Sequence, residues 1–289
     1  MIAGLDVNQI RRAFSRAART YAAHAVLQAE VGTRLRERLD GVDFAPMRVL
    51  DVGSGPGDGS AELCARFAQA EVIALDLALP MLQIATRADA PPLARVCADA
   101  QALPLADASV DLVHSSLCLQ WCEDPGLALA EFRRVLRPGG MLLFSTFGPD
   151  TLKELRAAFA AVDDTPHVSR FVDMHDIGDA LLASGYRDPV LEREDFTLTY
   201  ADARTLMREL HAIGATNADS QRRRALTGKS HLAAVYAAYE RFRENGVLPA
   251  TYEVVYAAAL APEAGQPRRE RGADIASFPI ERLRGSRRR

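Results

Sequence analysis

The sequence predicts an α/β fold, a doubly wound parallel sheet preceded by helices and interrupted by a helical insertion before its last strand. Three observations carry this. Short apolar runs alternate with helical stretches between residues 48 and 148, the arrangement that places a sheet between two helical layers with right-handed crossovers. The runs are apolar on both faces, as strands covered from both sides must be. The first run ends in a glycine loop, Asp51-Val52-Gly53-Ser54-Gly55-Pro56-Gly57, that opens a helix.

In chain order, Ile10, Phe14, Ala17, Tyr21, Ala25, Leu35 and Leu39 recur near helical spacing over 6–40, with Gly41 as a stop. A run that long is expected to break into two helices. Strands follow at 48–55, 71–78, 94–99, 110–117 and 141–148. Helices at 58–70, 80–88 and 125–136 separate them, the last closed by Arg137-Pro138-Gly139-Gly140. Helices are then expected at 151–162 and 174–184, with one or two strands at 189–200. After helices at 202–213 and 228–243, a strand returns at 251–260. The chain thus reads as one domain over 1–267. Within it, 1–45 is a helical lid and 202–246 a helical insertion or substrate cap; a basic tail occupies 268–289.

Composition excludes several classes. With 289 residues, 48% hydrophobic and 25% charged, the chain is neither disordered nor collagen-like, and it is long enough to bury a core without disulfide staples. Lys and Arg number 35 against 38 Asp and Glu, a net charge of −3, so no global basic field awaits nucleic acid. Only Lys153 and Lys229 are lysines, and against so strong an Arg bias a single Arg is weak evidence of function. Cys64, Cys97, Cys118 and Cys122 form no C-x-x-C pair and read as free thiols in a reducing compartment. No metal is expected, because no second Cys/His pair has ligand spacing. No run approaches the ~18 apolar residues of a membrane span, and the N-terminus lacks an apolar targeting core. A soluble cytoplasmic protein, with neither membrane nor nucleic acid as partner, is the expectation.

The glycine loop carries the chemistry. Glycines let the backbone turn tightly and approach a ligand. A dinucleotide fingerprint G-x-G-x-x-G would need glycine at 58, where Asp58 stands; the residues fit G-x-G-x-G. Asp51 at the strand end would repel a pyrophosphate but suits the ammonium of an amino-acid-like ligand. Asp76 ends the second strand, where a carboxylate can accept both ribose hydroxyls. Asp99 and Ala100 end the third, beside the place of an adenine amine. All three acids fall at carboxyl ends of strands, where ligands of open α/β sheets bind.

At these residues the sequence resembles class I S-adenosylmethionine-dependent methyltransferases. The stretch LDVGSGPG, VIALDLALPML, ADAQALPLADASVDLVHSSLCLQW and EFRRVLRPGGMLLFSTFG follows their motif order. The resemblance implies a seven-stranded, mostly parallel sheet of order 3-2-1-4-5-7-6 with an antiparallel strand 7. It implies S-adenosylmethionine as cofactor, with contacts at Asp51, Gly53, Ser54, Gly55, Asp76, Leu77, Met81, Asp99, Ala100 and Ser116, and at Ser115 and Leu117 of the same loop.

The flanks narrow the resemblance to the malonyl-carrier-protein O-methyltransferases of biotin biosynthesis. The matching segments are FSRAARTYAAHAVLQ (14–28), FGPDTLKELRAAF (147–159), HVSRFVDMHDIGDALLASGY (167–186), LTYADARTLMRELHAIGATNA (198–218), LPATYEVVYAAAL (248–260) and FPIERLRGSRR (278–288). Ala257-Ala258-Ala259 departs from a Gly-His-Ala-Trp-like sequence that relatives tend to carry. The implied reaction methylates the free carboxylate of a malonyl group held on the phosphopantetheine of acyl carrier protein. A carboxylate, with a solution pKa near ~4, is already ionised at neutral pH and needs no general base. The enzyme must supply orientation and a site closed to water. Arg170 is the expected carboxylate clamp, because guanidinium pairs best with a planar carboxylate. Tyr21 is a candidate lid residue able to donate a hydrogen bond. Trp121, next to Gln120, is a candidate wall against water. His24, His167 and His175 have no acid/base partner at a telling spacing, and the strand pattern buries His114.

Two other readings share the fold: a quinone-type small-molecule methyltransferase, which would need a base, and a respiratory-complex assembly factor acting as hydroxylase or binding module. Charge patterning adds an expectation about the partner. Residues 268–289 hold eight Arg against three acids, leaving the rest of the chain acidic, and Arg222, Arg223 and Arg224 stand in a row in the insertion. Such a basic patch suits an acidic carrier protein and would act on the encounter rate.

Overall fold

The computed structural model describes residues 4–84, 93–222, 228–263, 265, 268–270 and 273–275. Two helices lead, α1 (Val7–His24) and α2 (Val26–Glu37), broken at Ala25. The alternating part runs β1 (Arg48–Val52), α3 (Asp58–Arg66), β2 (Glu71–Asp76), α4 (Leu79–Ile84), β3 (Ala94–Cys97), β4 (Val110–Ser116), α5 (Pro125–Val135) and β5 (Leu136–Phe147). Then come α6 (Lys153–Ala160), α7 (Met174–Ala183), β6 (Arg187–Tyr200), α8 (Ala203–Ala212), α9 (Lys229–Tyr239) and β7 (Leu248–Leu260). A short antiparallel pair, β8 (Arg268–Glu270) and β9 (Ala273–Ile275), follows.

The sheet order is β3-β2-β1-β4-β5-β7-β6, with β7 antiparallel to both β5 and β6, as the resemblance implied. Side chains alternate across it, and each face has its own core. Val49, Leu112 and Leu143 pack with Leu35, Leu63 and Tyr239 on the side of α2, α3 and α9. Their neighbours Leu50, Val113 and Leu142 pack with Leu129, Phe132 and Leu181 under α5 and α7. This period of two explains why both faces of the strands read as apolar.

Carboxylates fix the helix starts. Asp6, Asp124, Asp173 and Asp202 each accept a backbone N–H in the first turn of α1, α5, α7 and α8, a cap worth roughly 0.5–2 kcal/mol. Asp111 performs the same service for the sheet. Its Oδ2 accepts the Met47 and Arg48 N–H groups at 2.9 Å, and its Oδ1 accepts from Arg137 at 2.7 Å.

One expectation needs correction. Arg137 to Gly140 do not lie outside the sheet as a helix stop. They belong to β5, which already pairs at Leu136 with Val110 before a register shift brings Met141 opposite Leu112. A bulge of this kind absorbs turn residues within a strand. The stretch at 189–200, expected as one or two strands, is one long strand paired with β7, as one of those readings had it. Part of the helix expected at 80–88, Arg223 and Arg224, and most of the basic tail lie outside the described residues.

Candidate active site

The first, second and fourth strands end beside the glycine loop. Gly53, Gly55 and Gly57 all have positive φ, at 72°, 55° and 89°, which is why the loop tolerates glycine and little else at these three places. Gly53 and Ser54 donate their N–H groups to Leu75 O at the end of β2. A Cβ on Gly53 would stand 2.6 Å from the Cβ of Cys118, so the loop after β4 closes directly on the loop after β1.

A cavity of about 830 Å³ opens there. Gly53, Gly55, Asp76, Leu77, Met81, Asp99, Ala100 and Ser116 line it, eight of the ten expected cofactor contacts, together with Leu117. The other two, Asp51 and Ser54, line an adjoining chamber of about 740 Å³ that shares Tyr21, Gln28, Gly53, Gly55 and Ser116 with the first. Ser115 does not face the space; it is buried and bonds Val52 O at 3.0 Å.

Asp76 is held by backbone. Its Oδ2 accepts the Gly55 N–H at 2.9 Å and its Oδ1 the Ala78 N–H at 2.7 Å. Burial raises its pKa, helped by the charge of Asp51, against the lowering effect of those two N–H groups. Each oxygen keeps a second lone pair for a further donor. Asp99 Oδ1 accepts from Gln101 N at 2.9 Å, which fixes the turn beside Ala100.

Asp51 is buried and doubly occupied. Its Oδ2 accepts from Ser60 Oγ at 2.5 Å, and His114 Nδ1 lies 2.8 Å from its Oδ1. With the proton on Nδ1, the Nε2 of His114 is an acceptor, and it has no hydrogen-bond partner among the described residues. Ser54 Oγ is likewise unpartnered. Both atoms belong to residues lining the adjoining chamber, as does Arg36, which holds Glu62. An orphaned acceptor, an orphaned hydroxyl and a guanidinium fit a zwitterionic amino-acid end, while Asp76 and Asp99 fit a ribose and an adenine amine. The residues present therefore fit S-adenosylmethionine.

The helices cover this space. Tyr21 of α1 lies over the loop, its ring 3.9 Å from a Cβ placed on Gly55. Burial and the charge of Asp76 push its phenol well above the usual range, so it keeps its proton and remains a donor. Phe14 stands edge-on to Trp121, ring centroids 5.1 Å apart. Ile10, Phe14, Gln28, Ile213 and Ala215 also line the cavity, and none was expected from sequence. Only the fold brings Ile213 and Ala215 there: Gly214 packs so closely on α1 that a Cβ would meet Phe14 at 3.1 Å.

Arg170 does not line the first cavity. It lines a second one of about 760 Å³ that shares Gln120 and Cys122 with the first. Gln120 is fixed there by bonds to Leu117 O and from Thr146 Oγ1. Arg170 is exposed, and the nearby Asp173 is taken by His175 at 2.8 Å. Nearby Arg156 was missed by sequence reasoning. Burial lowers its pKa and the charge of Arg170 lowers it further, so two guanidiniums share this region. His167 also has a partner, Asp163, which reverses the expectation for it and for His175.

Comparison with known proteins agrees with this geometry. A family model described as "Methyltransferase domain" matches residues 50–144. Among solved structures, a Bacillus halodurans protein superposes with a TM-score of 0.57 at 19% identity, covering 80% of this chain and 98% of its own. The cyclase SpnF does so with a TM-score of 0.51 at 20% identity, covering 81% of each chain, so the fold alone does not fix the reaction. Fold, family model and cavity together define an S-adenosylmethionine-dependent methyltransferase. Curated relatives narrow this further. A Xylella fastidiosa protein named malonyl-(acyl-carrier protein) O-methyltransferase is 52% identical over 96% of both chains. Proteins of the same name from Methylovorus (52%, 90% of both chains) and Laribacter hongkongensis (50%, 94% and 96%) match similarly. This chain belongs to the malonyl-(acyl-carrier protein) O-methyltransferase family.

Proposed function

We propose that the protein methylates the free carboxylate of a malonyl thioester carried by acyl carrier protein, and that Arg170 holds that carboxylate. One observation carries this reading: Arg170 lines a cavity joined to the cofactor cavity through Gln120 and Cys122. S-adenosylmethionine supplies an electrophilic methyl group on a sulfonium. Asp76 and Asp99 hold its adenosine, and the chamber by Asp51, Ser54 and His114 holds its amino-acid end. Gly53, Gly55, Leu77, Met81, Ala100 and Ser116 shape the walls.

The acceptor carboxylate is already anionic, so no residue has to remove a proton from it. The guanidinium of Arg170 makes the second cavity attractive to that anion. Attack of an anion on a cation disperses charge and is slowed by water. Tyr21 and Trp121, with Phe14, supply the cover, and 1–45 acts as the lid over the cofactor. The insertion at 202–246 caps the substrate side, with the thioester arm entering by the second cavity. The basic tail at 268–289 meets the acidic carrier protein. No helix among the described residues is long and apolar enough to cross a membrane, and the reading places the enzyme in the cytoplasm with its soluble partner. The curated relatives lend no support to the assembly-factor and quinone-type alternatives.

The test is label transfer from methyl-labelled S-adenosylmethionine to malonyl and acetyl carrier protein. Label on the malonyl form alone, released as methanol by alkali, is expected. Equal labelling of both forms would place the acceptor elsewhere.

A further inference from the structure

Outside both cavities, two neighbouring residues and a third far along the chain bring ring nitrogens and a carboxylate to one place. Asp163 and His167 lie in the connection between α6 and α7, and His231 lies in the first turn of α9. His167 Nε2 stands 2.9 and 3.1 Å from the two oxygens of Asp163. His231 Nε2 stands 3.2 Å from Asp163 Oδ2. All three ligand atoms lie within 4.8 Å of one another.

Ordinary ion pairing does not account for this arrangement. His231 Nε2 is inaccessible, yet it has no hydrogen-bond partner among the described residues despite the nearby carboxylate. The 3.2 Å approach to Asp163 Oδ2 lacks the geometry of a hydrogen bond. The His167 ring is also fixed in advance: it stacks on Phe159 with centroids 4.0 Å apart and planes at 11°. Asp163 is pinned too, its Oδ1 accepting the Thr165 N–H at 3.0 Å.

We propose that Asp163, His167 and His231 form a zinc site that fastens the segment leading to Arg170 onto α9 of the insertion. Two imidazoles and one carboxylate are a donor set that zinc accepts, with water as fourth ligand. At the usual bond lengths of about 2.0–2.2 Å, tetrahedral ligands stand roughly 3.3–3.5 Å apart, so the Asp163–imidazole distances need to open by only a few tenths of an ångström, while the two ring nitrogens stand within 4.8 Å of each other. A bound ion would give His231 Nε2 a bond in place of its unbonded approach to Asp163 and hold Asp163 and His167 together. Arg170 lies three residues beyond His167, and the segment is already tied to the insertion at Pro166 O by Asn217 Nδ2 at 2.6 Å. Sequence spacing hid the site, because His231 is contributed by a separate helix.

The experiment titrates untagged, chelator-stripped full-length protein with zinc chloride by calorimetry and follows melting in parallel. One zinc per chain in the micromolar range, with a raised Tm and no effect of magnesium, is expected. Loss of groups merely supporting a ligand costs about 10–100-fold in affinity. The His167→Gln/His231→Gln protein should therefore bind more than about tenfold more weakly and show no zinc-dependent Tm shift. Asp163→Asn, which keeps an acceptor for Thr165, gives the same reading if the double variant fails to fold. Cys118→Ser/Cys122→Ser should bind as the wild type does. Absence of saturable uptake, uptake unchanged by the histidine changes, or uptake lost with the cysteines would each overturn the site.

Discussion

Asp76 accepts the Gly55 N–H at 2.9 Å, so the carboxylate that ends β2 is bonded to the glycine loop that follows β1. This couples two segments of the site: the acid is oriented by the loop, and the loop is held by the acid. Asp76→Ala should remove the expected hydroxyl contacts and this tether together. A loss of roughly 1.5–3 kcal/mol is usual for hydrogen bonds to a charged group, so S-adenosylmethionine should bind about 10–100-fold more weakly by calorimetry. Unchanged affinity would remove Asp76 from the site.

Arg170 is exposed and has no ion-pair partner among the described residues. Replacing it should leave stability within about 0.5 kcal/mol, as for other surface positions. Arg170→Ala should nevertheless lower kcat/KM on malonyl carrier protein strongly, and Arg170→Lys should restore only part, since an ammonium lacks the planar fork. S-adenosylmethionine affinity should not move in either variant. Full turnover in Arg170→Ala would remove Arg170 as the clamp.

Asp111 sets an acid limit on stability. Burial alone would raise its carboxyl, but Arg137 and the N–H groups of Arg48 and Met47 hold it below the usual range. The folded pKa is thus lower than the unfolded one. The stabilisation is present above the unfolded value, near ~3.9, and fades as pH falls through the folded one. Asp111→Asn should cost about 1–2 kcal/mol near neutrality, the scale of a charge-assisted hydrogen bond. The gap from wild type should close in acid unfolding curves. A gap constant down to the acid transition would contradict the assignment.

Much of this was legible in the sequence, for reasons of period and backbone. Strand alternation gave Val49 and Leu50 to opposite faces, and the three loop glycines, each at positive φ, marked the place where backbone meets ligand. The acids at strand ends fell where expected because strand ends are local features. What stayed hidden depends on contacts between distant segments. Ile213 and Ala215 reach the cofactor cavity only through the packing of Gly214 on α1. Arg170 lies in the cavity next to the cofactor cavity, a placement the sequence did not show, since no local signal tells which side of Gln120 a returning loop takes. Arg137 to Gly140 read as a stop because glycine and proline end helices, whereas here they form the bulged start of β5.

Charge patterning predicts a kinetic signature for the carrier protein. Arg222 drops out of the basic patch, because its guanidinium bonds Asp6 at 2.9 Å and so ties the insertion to α1. The tail remains. Exposed charges are screened beyond about 8 Å at physiological salt. The value of kcat/KM on malonyl carrier protein should therefore fall steeply with ionic strength, while a malonyl-pantetheine fragment responds weakly. Deleting 284–289 should flatten the first curve. Parallel curves for both substrates would sink the docking role.

The central claim is that the methyl group ends on the malonyl carboxylate. Tandem mass spectrometry of the carrier protein after incubation with enzyme and S-adenosylmethionine reads this directly. The account predicts one added methyl per chain, located on the phosphopantetheine-bound malonyl group as its ester and absent without enzyme. A methyl group found on the carrier polypeptide, or an unmodified malonyl group in the presence of enzyme that demonstrably binds S-adenosylmethionine, would contradict it.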